Sequence, residues 1–592
     1  MRCCLGILDE SPCGRGSLLE RGNSKAQLQD LRLLQRQQNH PVAVVKGGGL
    51  VEHADAQTGC DHMHGGAAVR TGIAHLGANP PSGKETGVVC FRVLSDGDKG
   101  FGFEGFHGKG FAAGQRMSDG QQRHQLVLLE RQPVMPALAL ADQAKIRAVL
   151  LGECKTAKTA LIYASAFLSN VEMDLKPSFY DAHGMTLMPA FIDMHAHFRY
   201  PGQPQKEDLD SGLRAAVAGG YGTLVLMPNT RPVISDRDAA KKVMNEANSK
   251  ELARIYQTVS ITKNFEGTDT SAIDSLTADE FPVITEDGHD VSSAAVMLDA
   301  MSKAGEKNII VSCHCEDPSL AQAARPYRQR ALGFMSQYNI PAGKVHIQTP
   351  NVPSSVNFEI DGNLTTANNL LAVAEDTATI RNIEIAKTAG CHVHICHCST
   401  KNSLDAVRRA KEELALGNTT NGFDCTVEVT PHHLGLVGTD APNIRALVNP
   451  PLRSEYDRRA LIEGLRDGTV DAIATDHAPH SQEDKAAGAP GFTGLETAFA
   501  LCNTVLVKKE GFSLRRLSQL MSANPAKLLK LKAGRLLVDY EADLVLVNPD
   551  EEWVVTSENF CSKGKSTPLE GKKLTGKVHA TFFGGEQVYG QS

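Results

Sequence analysis

The segment LMPAFIDMHAHF, residues 187–198, decides the fold because it joins an apolar run to a polar end. Its first part is a continuous apolar stretch, typical of a strand buried in a parallel sheet. The stretch ends in His195 and His197, and residues two apart in a strand point to the same side. Two imidazoles on one side of a strand end indicate a metal site, although an isolated HxH pair is weak evidence.

Seven further segments share this design of an apolar run followed by polar residues. They are GTLVLMPNT (222–230), RIYQTVSIT (254–262), FPVITEDG (281–288), NIIVSCHCED (308–317), HVHICHCST (392–400), TVEVTPHHL (426–434) and DAIATDHAPH (471–480). Helix-like segments lie between most of them, as at 208–220, 292–305 and 400–417. This alternation predicts an α/β protein, and eight such units over roughly 300 residues suit a (β/α)8 barrel. In that fold the chemistry lies at the carboxyl ends of the strands, where these polar residues fall.

The chain divides into four predicted segments. Residues 1–154 lack consistent caps, periodicity and turns, so we expect a disordered extension or a start codon assigned too far upstream, with a genuine extra domain as the alternative. Residues 155–186, which include TALIYASAF, are predicted to be a shortened first part of a small β-sandwich flanking the barrel. Residues 187–532 form the predicted barrel. Residues 533–592 contain two antiparallel strand candidates that we expect to pair with TALIYASAF in the sandwich.

Composition excludes several classes of protein. A formal net charge of -7 over 592 residues gives no support for nucleic-acid binding. The sequence has no apolar run long enough to cross a membrane, and its start lacks the apolar core of a signal peptide. The 14 cysteines lack the spacing of a secreted disulfide framework. We therefore expect reduced thiols and a cytoplasmic location.

Metal-ligating side chains end five of the eight predicted strands. Each alone is more typical of a structural polar residue, but so many in strands that are otherwise apolar favour one shared site. Nitrogen and oxygen ligands of this mix suit Zn²⁺, with Mn²⁺ and Co²⁺ as alternatives. The six candidates are His195, His197, Asp287, His314, His397 and Asp476.

Four cysteines flank two of these histidines and need separate treatment, because thiolates also bind zinc. If His314 and His397 point into the barrel, strand alternation turns Cys313, Cys315, Cys396 and Cys398 toward the helices. We therefore interpret the cysteines as packing residues. The same alternation predicts that His392 and His394 point away from the site.

The chemistry suggested by these residues is hydrolysis of an amide. A bound metal ion lowers the pKa of water and polarises a carbonyl, and a carboxylate beside it can carry the proton. We predict Asp476 as this acid/base. Arg199 continues the inward row of His197 and suits a carboxylate on the substrate. Three further candidates for substrate contact lie at the same rim, although asparagines there also often cap loops: Asn229, Asn449 and His480.

With these residues in place, the chain resembles the dihydroorotases of the amidohydrolase superfamily, specifically the bacterial long-chain type. The resemblance runs from about residue 181 to about residue 580. The matching motifs are MPAFIDMHAHFRYPG, LMPNTRPV, TEDG, CHCED, HICHCSTKNSLDAVRRAK, VEVTPHHL, VNPPLR, ATDHAPHS, GLETAFAL and CSKGKSTPLEG. So many motifs in order are highly specific for the family.

The resemblance implies one or two Zn²⁺ ions on the six ligands named above, with Asp476 as acid/base. It implies that the substrate carboxylate is held by Arg199, Asn229 and His480. His197, Asn449 and the backbone near Gly491 and Phe492 would complete the substrate site. The implied reaction is reversible ring closure of N-carbamoyl-L-aspartate to dihydroorotate plus water, in pyrimidine synthesis. A homo-oligomer and a carbamoyltransferase partner are open possibilities.

Two departures from the family pattern affect the site. Many relatives bridge two metals with a carboxylated lysine, whereas the bridging position here resembles Asp287, as in the bacterial long-chain type. The stretch between His314 and His397 is longer than expected and is predicted to contain an insertion near the site.

Two alternative functions remain. A hydantoinase or allantoinase would use the same fold and metal chemistry on another cyclic ureide. A non-catalytic assembly subunit of the same fold is the alternative from another class, and such proteins have typically lost metal histidines.

Overall fold

The computed structural model describes Ala182 and residues 184–340, 352–438, 447–537 and 539–590, with the backbone of short strands nearer the amino terminus. The interpretations of residues 1–154 and 155–186 fall largely outside this part of the chain. The short strands form antiparallel pairs: Val44–Lys46 with Gly49–Val51, Phe91–Ser95 with Phe101–Gly105, Gln125–Leu129 with Pro177–Asp181, and Leu151–Glu153 with Thr159–Leu161.

Residues 185–535 and 542–592 form one compact unit built around a parallel barrel. Each barrel strand in the described residues pairs in parallel with the next, except for an interruption at Thr258 within the third strand. A parallel bridge between Ala196 and His477 closes the ring. The prediction of a (β/α)8 barrel is confirmed. Its strands are Phe191–Ala196, Tyr221–Leu226, Arg254–Gln257 with Val259–Ser260, Val283–Thr285, Ile310–Cys313, His392–Ile395, Asp424–Val429 and Ala472–Ile473.

Two apolar layers hold the barrel together. The interior layer is a buried cluster that includes Ile192, Met194, Val225 and Ile310. The outer layer, between strands and helices, is a larger buried cluster. Burial of this kind contributes about 25 cal/mol for each Å² of apolar surface removed from water. This rigid framework leaves the carboxyl ends of the strands to carry polar side chains.

Helices follow most of the strands, and the predicted helices at 208–220, 292–305 and 400–417 are confirmed. Capping side chains begin many of them, including Asp208, Ser293 and Thr400. No helix in the described ranges combines the length and apolar character needed to cross a membrane. The α-helices are Leu209–Ala218, Arg237–Asn248, Ala294–Lys307, Pro318–Gln337, Ser354–Ala389, Lys401–Ala415, Pro431–Gly435, Glu455–Asp467, Gln482–Ala486, Leu495–Cys502, Leu514–Ser518 and Asn524–Leu528.

Shorter helical turns complete the set. The π-helices Asn503–Lys509 and Gln519–Ala523 continue preceding α-helices. The 3₁₀-helices are Lys263–Phe265, Ser271–Ser275 and Ser557–Asn559.

A four-stranded antiparallel sheet adjoins the barrel. Leu544–Val554 lies between Thr186–Pro189 and Lys573–Phe583, and Glu586–Tyr589 forms the edge. The strand from the amino-terminal side is therefore Thr186–Pro189. Thr159–Leu161, within TALIYASAF, instead pairs with Leu151–Glu153, while residues 162–167 lie outside the described part.

The long stretch between the fifth and sixth barrel strands folds as two antiparallel helices, Pro318–Gln337 and Ser354–Ala389. We call these two helices the inserted hairpin; residues 341–351 between them lie outside the described part. Its tip is held by buried apolar side chains from both helices, among them Met335 and Ile360. Leu447, from the segment after the seventh barrel strand, belongs to the same cluster. The hairpin thus packs against a loop at the carboxyl end of the barrel.

Candidate active site

The six predicted metal ligands meet at the carboxyl end of the barrel, and all are buried. His195 Nε2 lies 3.2 Å from Asp287 Oδ1 and 3.6 Å from Asp476 Oδ1. His197 Nε2 lies 3.2 Å from Asp476 Oδ1 and 3.5 Å from Asp287 Oδ2. On the other side of Asp287, its Oδ1 lies 3.6 Å from His314 Nδ1 and 3.8 Å from His397 Nε2. Asp287 is therefore the shared centre of the cluster.

The hydrogen bonds around His195 and His197 orient both imidazoles as metal ligands. Glu428 Oε1 lies 3.1 Å from His195 Nδ1, and a carboxylate oxygen accepts, so Nδ1–H donates. Asn229 Nδ2 donates to Asp287 Oδ2 at 3.3 Å, which turns its Oδ1 to accept from His197 Nδ1–H at 2.8 Å. Both Nε2 atoms then face carboxylate oxygens, so a proton or a metal ion must lie between each Nε2 and its neighbouring oxygen.

This arrangement fits a bound cation. Lone pairs of imidazole and carboxylate repel each other at about 3 Å unless a positive charge lies between them. His195 Nε2 and Asp287 Oδ1 are buried and have no hydrogen-bond partner among the described residues. Two three-residue groups close enough to share an ion both contain His195: one with Asp287 and His397, the other with His197 and Asp476.

The pKa values of His314 and Asp287 also indicate that the cluster favours positive charge. Burial opposes charge on His314, yet its contact with Asp287 raises the pKa of the imidazole to about 9. The pKa of Asp287 lies well below its ordinary value despite burial, because of His195 and the other imidazoles. A metal ion would supply the charge that this carboxylate attracts.

Three site residues have a left-handed backbone, which side chains with a Cβ seldom adopt. The φ angles are 56° at Arg199, 32° at His397 and 47° at Asp476. Such strain costs about 1–3 kcal/mol per residue and is concentrated at functional sites. Each of the three residues lies just beyond the end of its barrel strand, where the chain turns its side chain toward the site.

The turn at His397 makes part of the alternation prediction wrong. Cys313, Cys315 and Cys398 do pack in the outer apolar layer. Cys396, however, lies inside the barrel, with Sγ 2.9 Å from Ser312 Oγ and near His195. His394 also points inward and contacts Glu428, with Nε2 to Oε2 at 3.1 Å. The strand ends at Ile395, so alternation does not extend to His397.

Cys396 is nevertheless a poor metal ligand. Burial raises the pKa of its thiol to about 11, so it stays protonated. Glu428, which lies close enough to His195 and Cys396 to share an ion with them, is already engaged by His195 and His394.

Sequence reasoning missed Glu428, whose carboxylate orients His195. The signal was present, since Glu428 is a charged residue inside the apolar run TVEV of the seventh strand. It also missed Asp193, which joins the first and last strands by accepting from Thr475 N and Thr475 Oγ1 at 2.9 and 2.5 Å.

A group of cationic side chains lies beside the ligand cluster. Arg199 is buried and donates from Nε to the carbonyl oxygen of Pro479 at 3.4 Å. Burial lowers its pKa to about 10, while the charges of Asp476 and Asp287 act in the opposite direction. No carboxylate in the described residues forms an ion pair with Arg199 within 4.0 Å. Its guanidinium can therefore bind an anion.

His480 lies against Arg199 as an uncharged ring. Burial and the charges of Arg199 and Lys206 lower its pKa to about 2. Lys206 Nζ donates to Nδ1 at 3.4 Å, so Nε2–H donates to the Pro490 carbonyl oxygen at 2.9 Å. Arg199 Nη2 lies 3.2 Å from this Nε2. The predicted pair of Arg199 and His480 is thus brought together.

The remaining predicted substrate residues have different surroundings, and only Asn229 lies among the metal ligands. Asn229 lies among the ligands, where its Oδ1 and one N–H are engaged by His197 and Asp287. Gly491 adjoins His480 and has a φ of 138°; a Cβ there would lie 2.7 Å from the Ala478 carbonyl oxygen. The ring of Phe492 packs edge-on to His432. Asn449 contacts Arg328 of the inserted hairpin, at 2.7 Å from Oδ1 to Nη1.

A ligand cluster of this kind at the carboxyl end of a (β/α)8 barrel is typical of metal-dependent hydrolases, and comparison identifies the family. Residues 186–588 match the Amidohydrolase family, so the chain belongs to it. The chain is 39% identical over 404 residues to the dihydroorotase of Clostridium botulinum (strain Eklund 17B / Type B), covering 68% of this chain and 87% of that relative. It is 37% identical over 415 residues to the dihydroorotase of Bacillus subtilis (strain 168), covering 69% and 88%.

Solved structures support the fold. The L-hydantoinase (dihydropyrimidinase) of Arthrobacter aurescens has a TM-score of 0.56 and 24% identity, covering 73% of this chain and 95% of that one. Dihydropyrimidinase from Brevibacillus agri NCHU1002 also has a TM-score of 0.56, with 18% identity, covering 75% and 91%. At these identities the likeness concerns the fold alone.

Proposed function

We propose that this chain is a dihydroorotase, which interconverts N-carbamoyl-L-aspartate and dihydroorotate plus water in pyrimidine synthesis. The observation that carries the proposal is the pairing of a metal-ligand cluster with an adjacent buried arginine, Arg199, that has no carboxylate partner in the described residues. A cyclic amide that also bears a carboxylate matches both features. The similarity to dihydroorotases over most of their length supports the same substrate.

The residues that would hold the metal are His195, His197, Asp287, His314, His397 and Asp476. When bound, a divalent metal ion supplies a lowered pKa for water and a polarised carbonyl. We propose Zn²⁺, in one or two copies, because imidazole and carboxylate ligands suit it. Asp287 contacts histidines in both halves of the cluster, so its carboxylate would help to hold a metal ion in either half.

Asp476 is proposed to carry the proton. Burial raises its pKa, but the contact with His197 and the neighbouring imidazoles hold it well below the ordinary value, so Asp476 is ionised and its oxygens carry no proton. In hydrolysis it takes the proton of the attacking water as the new carbon–oxygen bond forms. It then gives this proton to the ring nitrogen as the carbon–nitrogen bond breaks. Ring closure uses the same steps in reverse.

Substrate orientation is proposed to come from the cationic side. Arg199 offers a guanidinium to the carboxylate of the substrate, with the neutral ring of His480 beside it. The free amide N–H of Asn229, the side chain of Asn449 and the backbone at Gly491 and Phe492 complete the contacts. His197, one of the proposed metal ligands, donates from Nδ1–H to Asn229 Oδ1, and Asn229 thus links it to the substrate contacts.

A hydantoinase or allantoinase remains the second candidate, favoured by the fold shared with solved hydantoinases. Those substrates lack the carboxylate that Arg199 would bind. The bridging position also carries a carboxylate, Asp287, rather than a lysine.

The test measures metal content and hydrolysis of dihydroorotate, hydantoin and allantoin by the full chain. We expect bound zinc and turnover of dihydroorotate alone, lost on chelation and restored by zinc. Metal with turnover of hydantoin or allantoin instead would move the assignment to that relative. Folded protein with neither metal nor turnover would favour the non-catalytic assembly subunit.

A cytoplasmic location and the partners belong to the same proposal. The described cysteines are free thiols, as expected in a reducing compartment. A homo-oligomer and a carbamoyltransferase partner stay predictions.

A further inference from the structure

The inserted hairpin forms a wall against two loops that carry proposed substrate contacts. Leu447, two residues before Asn449, is buried in the apolar cluster of the hairpin tip. Leu332 of the first hairpin helix packs on Gly488, where a Cβ would lie 2.4 Å from Leu332 Cδ1. Gly488 lies three residues before Gly491. The insertion is therefore in place to shape the substrate pocket.

Two basic side chains tie this wall together: Arg328, which is half-buried, and Lys485, which is buried. Arg328, on the first hairpin helix, donates from Nη1 to Asn449 Oδ1 at 2.7 Å and from Nη2 to the Val448 carbonyl oxygen at 3.3 Å. Lys485 Nζ donates to the carbonyl oxygens of Leu447 at 3.0 Å and Gly491 at 2.8 Å. The segment 447–449 is thus held between the hairpin and the loop at Gly491.

Placing the charge of Arg328 beside Asn449 costs free energy. No carboxylate in the described residues forms an ion pair with it, and its Nε is buried without a hydrogen-bond partner among them. Glu316 attracts its charge from a distance, while Arg453 repels it. A charge that is partly withdrawn from water and has no carboxylate partner in the described residues costs free energy that packing alone does not require. This cost indicates a function at the site.

The contact settles which way the Asn449 amide points. A guanidinium only donates, so the atom facing Arg328 is the amide oxygen. Asn449 Nδ2 is then turned away from Arg328 with its two N–H groups. These groups suit an acceptor oxygen on the substrate, such as a ring carbonyl.

We propose that Arg328 is a positioning residue: it fixes the Asn449 amide so that its NH₂ group donates to an oxygen of the bound substrate. The proposal rests on the proposed function, because it names a further specificity determinant of that site. It also assigns a role to the inserted hairpin, which brings a residue of its own to the substrate pocket.

The test combines Arg328→Met, Asn449→Ala and the double variant in zinc-loaded full-length enzyme. Arg330→Met is the matched control, since Arg330 is exposed on the same helix and contacts Asn363. We expect Arg328→Met to raise the Michaelis constant for dihydroorotate about 10- to 100-fold, the range for a lost charge-assisted hydrogen bond. The turnover number and melting temperature should stay close to wild type. The double variant should be no worse than Asn449→Ala, because Arg328 acts through Asn449.

Arg328→Lys provides a second variant that keeps the charge. Its ammonium lacks the planar, two-nitrogen geometry with which the guanidinium reaches Asn449 and Val448 together, so it should recover only part of the affinity. Multiplicative effects of Arg328→Met and Asn449→Ala would overturn the proposal. So would an unchanged Michaelis constant in both Arg328 variants, or an equal rise in Arg330→Met. Absence of dihydroorotate turnover in the wild type would instead overturn the proposed function itself.

Discussion

The two sides of the pocket have opposite electrostatic character. The carboxylate side consists of Asp287, Asp476 and Glu428 with their histidines, and the cationic side contains Arg199, Arg328 and Lys485. On the first side, burial crowds carboxylates against imidazole nitrogens. On the second, basic side chains contact only uncharged groups in the described residues. Within the described ranges, neither side contains the charge that would balance it. The difference supports the proposal that a cation binds on one side and an anion on the other.

The largest effect should come from the carboxylate side, at Asp476. Replacing it with alanine removes the proposed proton carrier, and general acid–base catalysis contributes about 10²–10⁴-fold to turnover. We expect the turnover number of Asp476→Ala to fall by at least that much while the circular dichroism spectrum is retained. Dihydroorotate hydrolysis and metal content should be measured on the same samples.

The control for this variant is Asp238→Ala, which removes an exposed carboxylate on the helix Arg237–Asn248. It should match the wild type in both measurements. An Asp476→Ala enzyme that keeps its metal and most of its turnover would show that the proton is carried elsewhere.

The carboxylate side is also the part that local sequence patterns could predict. His195, Asp287 and Asp476 each end an apolar strand run, and the parallel barrel brings all strand ends to one rim. The six ligand candidates therefore converge without any knowledge of side-chain contacts. Glu428 was detectable by the same logic, as a charge within an apolar strand.

The cationic side could be predicted only in part. Arg199 follows the HxH pair, so its place was evident. Arg328 is 121 residues from Asn449 in the chain and lies in an insertion without a motif. The inward position of Cys396 depends on where a strand ends and on the left-handed turn at His397. Such tertiary contacts and backbone strain leave no periodic signal in the sequence.

A smaller effect, confined to binding, should come from Arg199 on the cationic side. Arg199→Met keeps much of the apolar volume and removes the charge. We expect the Michaelis constant for dihydroorotate to rise about 10- to 100-fold, since hydrogen bonds to charged groups contribute about 1.5–3 kcal/mol. Metal content should not change. Steady-state kinetics and metal analysis would check both statements.

Arg214→Met is the matched control, because Arg214 is exposed on the helix Leu209–Ala218. An unchanged Michaelis constant in Arg199→Met would remove the proposed carboxylate contact. Loss of metal in that variant would mean that the two sides are not independent.

The smallest effect on dihydroorotate hydrolysis should come from Glu428, which contacts the ligand His195. Glu428→Gln replaces the carboxylate whose Oε1 accepts from His195 Nδ1–H and whose Oε2 lies beside His394 Nε2. Partners of this kind affect metal affinity by about 10- to 100-fold. We expect zinc competition with a chelator to show a loss of zinc affinity in that range, with the Michaelis constant for dihydroorotate nearly unchanged at saturating zinc.

The control is Glu384→Gln, an exposed change on the second hairpin helix, which should leave zinc affinity at the wild-type value. If Glu428→Gln raised the Michaelis constant and spared zinc binding, Glu428 would act on the substrate, and the division of the pocket into two separately charged sides would fail.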